Sequence, residues 1–115
     1  MFHAKGNLRD RTQKFARRTA RAFRSLPPRD RLAQVWGDQM LRAAGSVGAN
    51  YREAQRGHSL AEHRSKLGDC LREVDEAGYW MELLESEKLF EPAAIAPLKE
   101  EADELAAIFV TLLRK

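Results

Sequence analysis

Apolar and small residues recur along the chain at alternating intervals of three and four, the pattern of helices that bury one face. In the first segment, the side predicted to be buried contains Leu8, Thr12, Phe15, Thr19, Ala22 and Leu26. Asn7 is placed to cap its start. Pro27 and Pro28 prevent its continuation, because proline has no amide hydrogen to donate. The pattern predicts a helix over residues 8–25.

Two further segments with the same spacing follow on either side of a short connection. Asp30 is placed to cap the first of them, and Gly57 suits its C-terminal cap. Ser59 and Glu62 form an S-x-x-E capping box, which indicates the start of the next helix. The predicted helices cover residues 30–56 and 60–88.

The last segment contains a proline that complicates its start. A regular helix is predicted to begin at Pro97 and to cover residues 97–114, with residues 92–96 forming a single loose turn. Four helices with short connections favour antiparallel neighbours, so the predicted fold class is all-α, an up-down-up-down four-helix bundle. The 115 residues suffice for a single domain, residues 1–115.

Composition narrows the range of functions. The chain has one cysteine, Cys70, expected to be a buried structural thiol, and it lacks the apolar stretch of a secretory signal or a membrane span. No Glu-x-x-His pair and no recognisable catalytic triad occurs. We therefore expect a cytoplasmic protein without membrane attachment, enzymatic activity, metal or cofactor.

Charge is distributed unevenly along the sequence. Residues 1–31 contain 10 Lys or Arg against two Asp, a balance of +8, although the whole chain is only +3. Residues 69–104 contain 12 carboxylates against three basic residues, a balance of −9. Such asymmetry fits a polyanionic partner or a complementary contact between subunits, and an ordinary solvated helix face is the third interpretation.

The basic residues of the first helix share one side of it. Lys14, Arg17, Arg21 and Arg24 are spaced to project opposite the apolar positions, with Arg11 and Arg18 beside them. Several cations along one edge suffice to bind phosphates, so Lys14, Arg17, Arg18, Arg21 and Arg24 are the candidate residues for binding RNA or DNA. No aromatic residue joins them, which predicts largely sequence-independent binding. The alternative is docking against the acidic stretch of an adjacent subunit.

A polar group interrupts the core side of the second helix. We expect Asn50 and Glu53 to form one hydrogen-bonded set with Glu73 and Glu76 of the following helix, a structural polar motif that fixes helix register.

Two glycines also lie within the second helix, where each has a lower helix propensity than alanine. Close approach of a neighbouring helix or a local bend would explain Gly45 and Gly48, and Tyr79 or Trp80 of the third helix is the expected neighbour.

Three strings connect this chain with a known family: SVGANYREA at 46–54, EVDEAGYWMELL at 73–84 and EADELAAIFV at 101–110. Together they resemble the four helix bundle protein family, which includes proteins encoded in intervening sequences of bacterial large-subunit ribosomal RNA genes. The resemblance covers roughly residues 8–113. Its distant relatives are the accessory variability proteins of diversity-generating retroelements.

The resemblance implies an all-helical protomer, frequently a pentameric ring, with no established catalysis and a suspected connection to nucleic acid. It favours a homo-oligomeric scaffold whose basic first helix binds RNA, DNA or a nucleic-acid-bound partner. A purely structural self-assembly module is the first alternative. An accessory subunit of a reverse transcriptase is the second, and it rests on fold analogy alone.

Overall fold

The computed structural model describes residues 7–115 as four helices joined by short connections. They are α1 (Leu8–Arg24), α2 (Arg31–Gln55), α3 (Leu60–Ser86) and α4 (Pro92–Leu113). Helices adjacent in sequence contact each other and α1 also contacts α4, which closes the bundle. The predicted all-α four-helix bundle is confirmed, and no strand occurs in this range. Residues 1–6, which carry part of the expectation that no secretory signal is present, lie outside the described residues.

The predicted capping residues begin the first three helices. The side chain of Asn7 accepts a hydrogen bond from the amide of Asp10 at 2.8 Å, and Asp30 accepts one from the amide of Ala33 at 2.9 Å. At the start of α3, the hydroxyl of Ser59 accepts from the amide of Glu62 at 3.1 Å. These bonds satisfy amides that have no partner within their helix.

The predicted start of α4 at Pro97 is wrong, because the helix begins at Pro92. Pro92 occupies the first helical position, where the missing amide hydrogen has no intrahelical partner to lose. Pro97 lies within the helix with its ring exposed to solvent, and it removes one backbone hydrogen bond. Ile95 and Leu98 are 2% and 4% exposed, and their burial outweighs the loss of that bond. Residues 92–96 are therefore helical.

The helix α3 ends two residues earlier than predicted, in a tight C-terminal turn. Lys88 has a φ of 62°, in the left-handed region that favours glycine. The amide of Leu89 donates to the carbonyl of Leu84, and the amide of Lys88 donates to that of Glu85, both at 2.9 Å. This pair of bonds is a Schellman motif with lysine in the usual glycine position.

The core follows the predicted apolar positions of all four helices. Its largest fully buried side chains are Phe15, Phe109, Met40, Met81, Leu84 and Leu105. Thr12 and Thr19 of α1 are also buried, and their hydroxyls donate to carbonyls of their own helix at 3.2 and 2.8 Å. With its polar atoms satisfied locally, α1 buries this face and leaves its opposite face in solvent.

Candidate nucleic-acid interface

The side chains predicted to bind nucleic acid lie on the surface of α1. Lys14, Arg17, Arg21 and Arg24 are exposed, and Arg18 is half-buried on the side that faces α4. We call these five residues the α1 basic face. Burial of the threonine and phenylalanine stripe fixes their direction, because residues on the opposite side of an amphipathic helix must point to solvent.

The cations of the α1 basic face have no ion-pair partner among the described residues. Within residues 7–115, none of these five side chains makes a salt bridge or a hydrogen bond. No side chain in the described part of the protomer therefore neutralises their charges. Unpaired guanidinium groups present several hydrogen-bond donors each in a planar arrangement that matches phosphate or carboxylate.

Arg11 has a different role from the other basic residues of α1. Its guanidinium donates to both carboxylate oxygens of Glu101 on α4, at 3.0 and 2.6 Å, and to Glu104 at 3.0 Å. The hydrogen bond with Glu101 raises the pKa of Arg11, against the opposing effect of burial. The expectation that Arg11 flanks the surface cations is wrong, because its position in α1 points towards α4.

Aromatic rings of α1 are not available to stack on bases. Phe15 is fully buried, and Phe23 packs against the core. The α1 basic face is therefore purely cationic, as the sequence predicted.

The predicted polar set of Asn50, Glu53, Glu73 and Glu76 does not form one network. The amide of Asn50 donates to the carbonyl of Ser46 in its own helix at 2.9 Å. Glu53 pairs with Lys66 at 2.7 Å, while Glu73 and Glu76 both face Arg42. The prediction is wrong because like-charged carboxylates need cations between them, and Asn50 can satisfy its amide locally.

Arg42 is the residue that sequence reasoning missed. It pairs with Glu76 at 2.6 Å and with Glu73 at 3.6 Å, which ties α2 to α3. The indole of Trp80 donates to Glu76 at 3.0 Å, and this bond, with the contribution of Arg42, lowers the pKa of Glu76. The pair could have been found from the sequence, because Arg42 and Glu76 lie at similar distances from the α2–α3 connection. In two antiparallel helices, residues at similar distances from the connection lie opposite each other.

The expectation that Tyr79 or Trp80 of α3 lies against Gly45 and Gly48 is wrong. A Cβ atom at Gly48 would lie 3.1 Å from the Thr12 hydroxyl oxygen of α1, whereas one at Gly45 would meet nothing within 4 Å. Trp80 instead packs on Trp36, with ring centroids 6.3 Å apart. The physical reason is that Gly48 faces α1 and Gly45 faces solvent, so neither lies on the side of α2 that packs against α3.

The remaining candidate chemistry of the described residues is limited. Cys70 is fully buried as expected, and burial raises the pKa of its thiol to about 12. In the described part of the chain, no group of three His, Cys, Asp or Glu side chains is arranged to hold a metal ion. Within the same part, no helix has the combination of length and apolar character needed to span a membrane.

The family described as 23S rRNA-intervening sequence protein has a sequence model that matches residues 4–111. The chain belongs to this family. A crystal structure of a protein with unknown function, from the S23 ribosomal protein family of Bacteroides thetaiotaomicron, is similar with a TM-score of 0.86. The two sequences are 27% identical, and the match covers 93% of this chain and 98% of that chain. Comparison with curated proteins gave no match.

Membership in the 23S rRNA-intervening sequence protein family confirms the resemblance drawn from the three sequence strings. The similarity to the crystal structure extends over nearly the whole of both chains, so the four helices form the shared fold. The α1 basic face lies within the stretch that the family model matches.

Proposed function

We propose that this protein is a non-enzymatic, oligomeric scaffold that binds nucleic acid, or a partner carrying nucleic acid, through the α1 basic face. The observation that carries the proposal is the absence, within residues 7–115, of any ion-pair partner for its five cations. Arg11, one turn away, is by contrast neutralised by Glu101 and Glu104.

Phosphate is the ligand that this arrangement suits best. Lys14, Arg17, Arg21 and Arg24 extend along about three turns of one helix, so they can contact successive phosphates of one strand. Without exposed rings on α1 to stack on bases, binding depends on charge and tolerates many sequences. Assembly of several subunits, five by family resemblance, raises the avidity of such weak individual contacts.

A second candidate function, self-assembly through opposite charges, is favoured by two neighbouring surfaces. Arg18 and Arg21 border an open groove of about 380 Å³ between α1 and α4, whose floor includes Ile95 and Leu98. On the α3–α4 side, Tyr79 is 53% exposed beside acidic side chains. The acidic side chains around it are Asp75, Glu82 and Asp103. An acidic surface with an exposed aromatic residue complements an apolar groove with a cationic rim, and repetition of such a head-to-tail contact closes a ring where the rotation between subunits permits it.

A paired charge reversal separates the two functions. We expect Arg17→Glu combined with Arg21→Glu to abolish retention of a short structured RNA while leaving the oligomer intact. The matched control is Arg29→Glu combined with Arg31→Glu, because both arginines are exposed and without an ion-pair partner in the described residues. Each double variant changes the net charge from +3 to −1. Light scattering at low and high salt, with and without RNA, reports both properties.

The outcomes discriminate clearly. The nucleic-acid scaffold is supported if the α1 variant, Arg17→Glu with Arg21→Glu, loses RNA binding and the control variant keeps it. A steep fall of wild-type RNA affinity with rising salt concentration is also expected. Unchanged RNA binding in the α1 variant rules the α1 basic face out as the binding surface. Self-assembly is supported instead if Arg17→Glu combined with Arg21→Glu dissociates the protein into protomers and the wild-type oligomer does not bind RNA.

A further inference from the structure

A second positively charged surface adjoins the α1 basic face. An open groove of about 300 Å³ runs between α1 and α2, with Arg9 and Gln13 on the α1 side and Arg52 on the α2 side. Arg9 and Arg52 are exposed, and within residues 7–115 neither side chain makes a salt bridge or hydrogen bond. Arg17 follows Gln13 by one helical turn, so the groove continues onto the α1 basic face.

The floor of this groove is formed by small residues, which leave space above the backbone: Ala16, Gly45, Gly48 and Ala49. Packing explains Gly48, where a Cβ atom would lie 3.1 Å from the Thr12 hydroxyl oxygen. The described residues give no such explanation for Gly45, since a Cβ atom there would meet none of their atoms within 4 Å. A glycine in the middle of a helix lowers its stability relative to alanine, so its open position suits the close approach of a ligand.

One carboxylate also borders the groove. Asp10 accepts a hydrogen bond from the side-chain amide of Asn7 at 3.0 Å, as part of the α1 cap. The two arginines outweigh this single negative charge, and the groove retains an excess positive charge. An anion with repeated charges gains from Arg9, Arg17 and Arg52 together, across two helices.

We infer that the groove between α1 and α2 seats the sugar-phosphate backbone of the bound nucleic acid, with Arg9 and Arg52 contacting phosphates from the two helices that border the groove. The inference rests on the proposed function and extends the binding surface from α1 to α2. The strand passes from the α1 basic face into the groove, where the glycine and alanine floor admits its backbone without a side chain in the way.

Filling the groove at Gly45 provides the first test. Gly45→Gln adds a long neutral side chain at a position with open space, so the variant folds and melts at a higher temperature, by about 2–4 °C. We expect it to bind a single-stranded RNA oligonucleotide at least about tenfold more weakly than the wild type at low salt, by loss of close phosphate contacts. A gain in stability combined with a loss of binding is a signature that misfolding cannot produce.

Gly68→Gln is the matched control. Gly68 also lies within a helix with nothing within 4 Å of a Cβ atom, but in α3, which does not contact α1. The same chemical change there is expected to raise the melting temperature similarly and to leave RNA affinity unchanged.

Removal of the two cations provides the second test. Arg9→Gln combined with Arg52→Gln is expected to reduce the magnitude of the slope of log K against log salt concentration by about 1.4 for single-stranded RNA, or about 0.7 for each lost contact. The groove variants are Gly45→Gln and the double variant Arg9→Gln with Arg52→Gln. If both bind RNA as the wild type does, while Arg17→Glu combined with Arg21→Glu abolishes binding, the inference is overturned and the proposed function stands. No binding of RNA by the wild type would overturn both.

Discussion

Arg11 and Glu101 form a two-point contact between the first and last helices: guanidinium Nε and Nη2 donate to the two carboxylate oxygens at 3.0 and 2.6 Å. Both side chains are largely buried, with 12% and 17% of their surfaces exposed. Loss of Arg11 leaves the carboxylate of Glu101 without its bidentate cationic partner in a partly dry environment. The seam between α1 and α4 depends on this pair together with apolar packing.

Removing the guanidinium of Arg11 is expected to destabilise the fold. In Arg11→Gln, Glu101 loses a charged, bidentate partner, and the free energy of unfolding should fall by about 1–3 kcal/mol. Arg9 is the control, because it is exposed and has no ion-pair partner in the described residues. Arg9→Gln should change the free energy of unfolding by less than about 0.5 kcal/mol. Urea unfolding followed by circular dichroism measures both, and equal effects would contradict the structural role of Arg11.

The pKa of Glu76 predicts a pH dependence of stability. The Trp80 indole and the Arg42 guanidinium lower this pKa below its ordinary value of 4.5, so the folded state favours the ionised carboxylate. Its contribution is therefore complete above about pH 4.5 and is lost as pH falls through the lowered folded-state pKa. Glu76→Gln should be less stable than the wild type at pH 7, and the difference should shrink in acid.

Urea unfolding between pH 2.5 and 7 (on the order of six points) tests the Glu76 prediction. Glu100→Gln is the control, because Glu100 is exposed and the described residues include no ion-pair partner for it. A stability difference for Glu76→Gln that stays constant across the pH range would show that the Trp80 and Arg42 contacts do not act through ionisation.

The glycines of α2 are expected to respond in opposite directions to the same substitution. A Cβ atom at Gly37 would lie 2.8 Å from Leu26 Cδ1 and 2.9 Å from the Phe23 ring, whereas one at Gly45 would meet nothing. Gly37→Ala should lower the free energy of unfolding by about 1–2 kcal/mol through overpacking. Gly45→Ala should raise it by about 0.5–1 kcal/mol through helix propensity. Thermal unfolding checks the signs, and matching signs would disprove the assigned packing.

The turn that ends α3 offers a stabilising substitution. Lys88 has a left-handed φ of 62°. Residues with a Cβ atom adopt this backbone conformation only at a cost in free energy, which glycine avoids. Lys88→Gly should raise the free energy of unfolding by about 0.5–1 kcal/mol. Glu87→Gly, at the preceding residue with a φ of −89°, should lower it because glycine only adds chain entropy to the unfolded state. A destabilised Lys88→Gly protein would refute the strained turn.

Local chemistry made most of the architecture predictable from the sequence. Asn7, Asp30 and Ser59 accept the amide bonds that begin their helices, and each bond involves residues three positions apart. The start of α4 was missed because Pro97 alone predicts a boundary, while the burial of Ile95 and Leu98 against other helices decides the outcome. Local rules fail where a tertiary contact outweighs the lost backbone bond.

The sequence alone determined four amphipathic helices, their order, and the concentration of cations in α1, because helical periodicity and capping act within a few residues. Only the tertiary structure decided which of those cations are neutralised. Arg11 meets Glu101 across 90 positions of sequence, while Arg17 and Arg21 meet no partner in the described residues. An ion pair requires two side chains within about 4 Å, and that distance depends on which helix faces lie opposite each other.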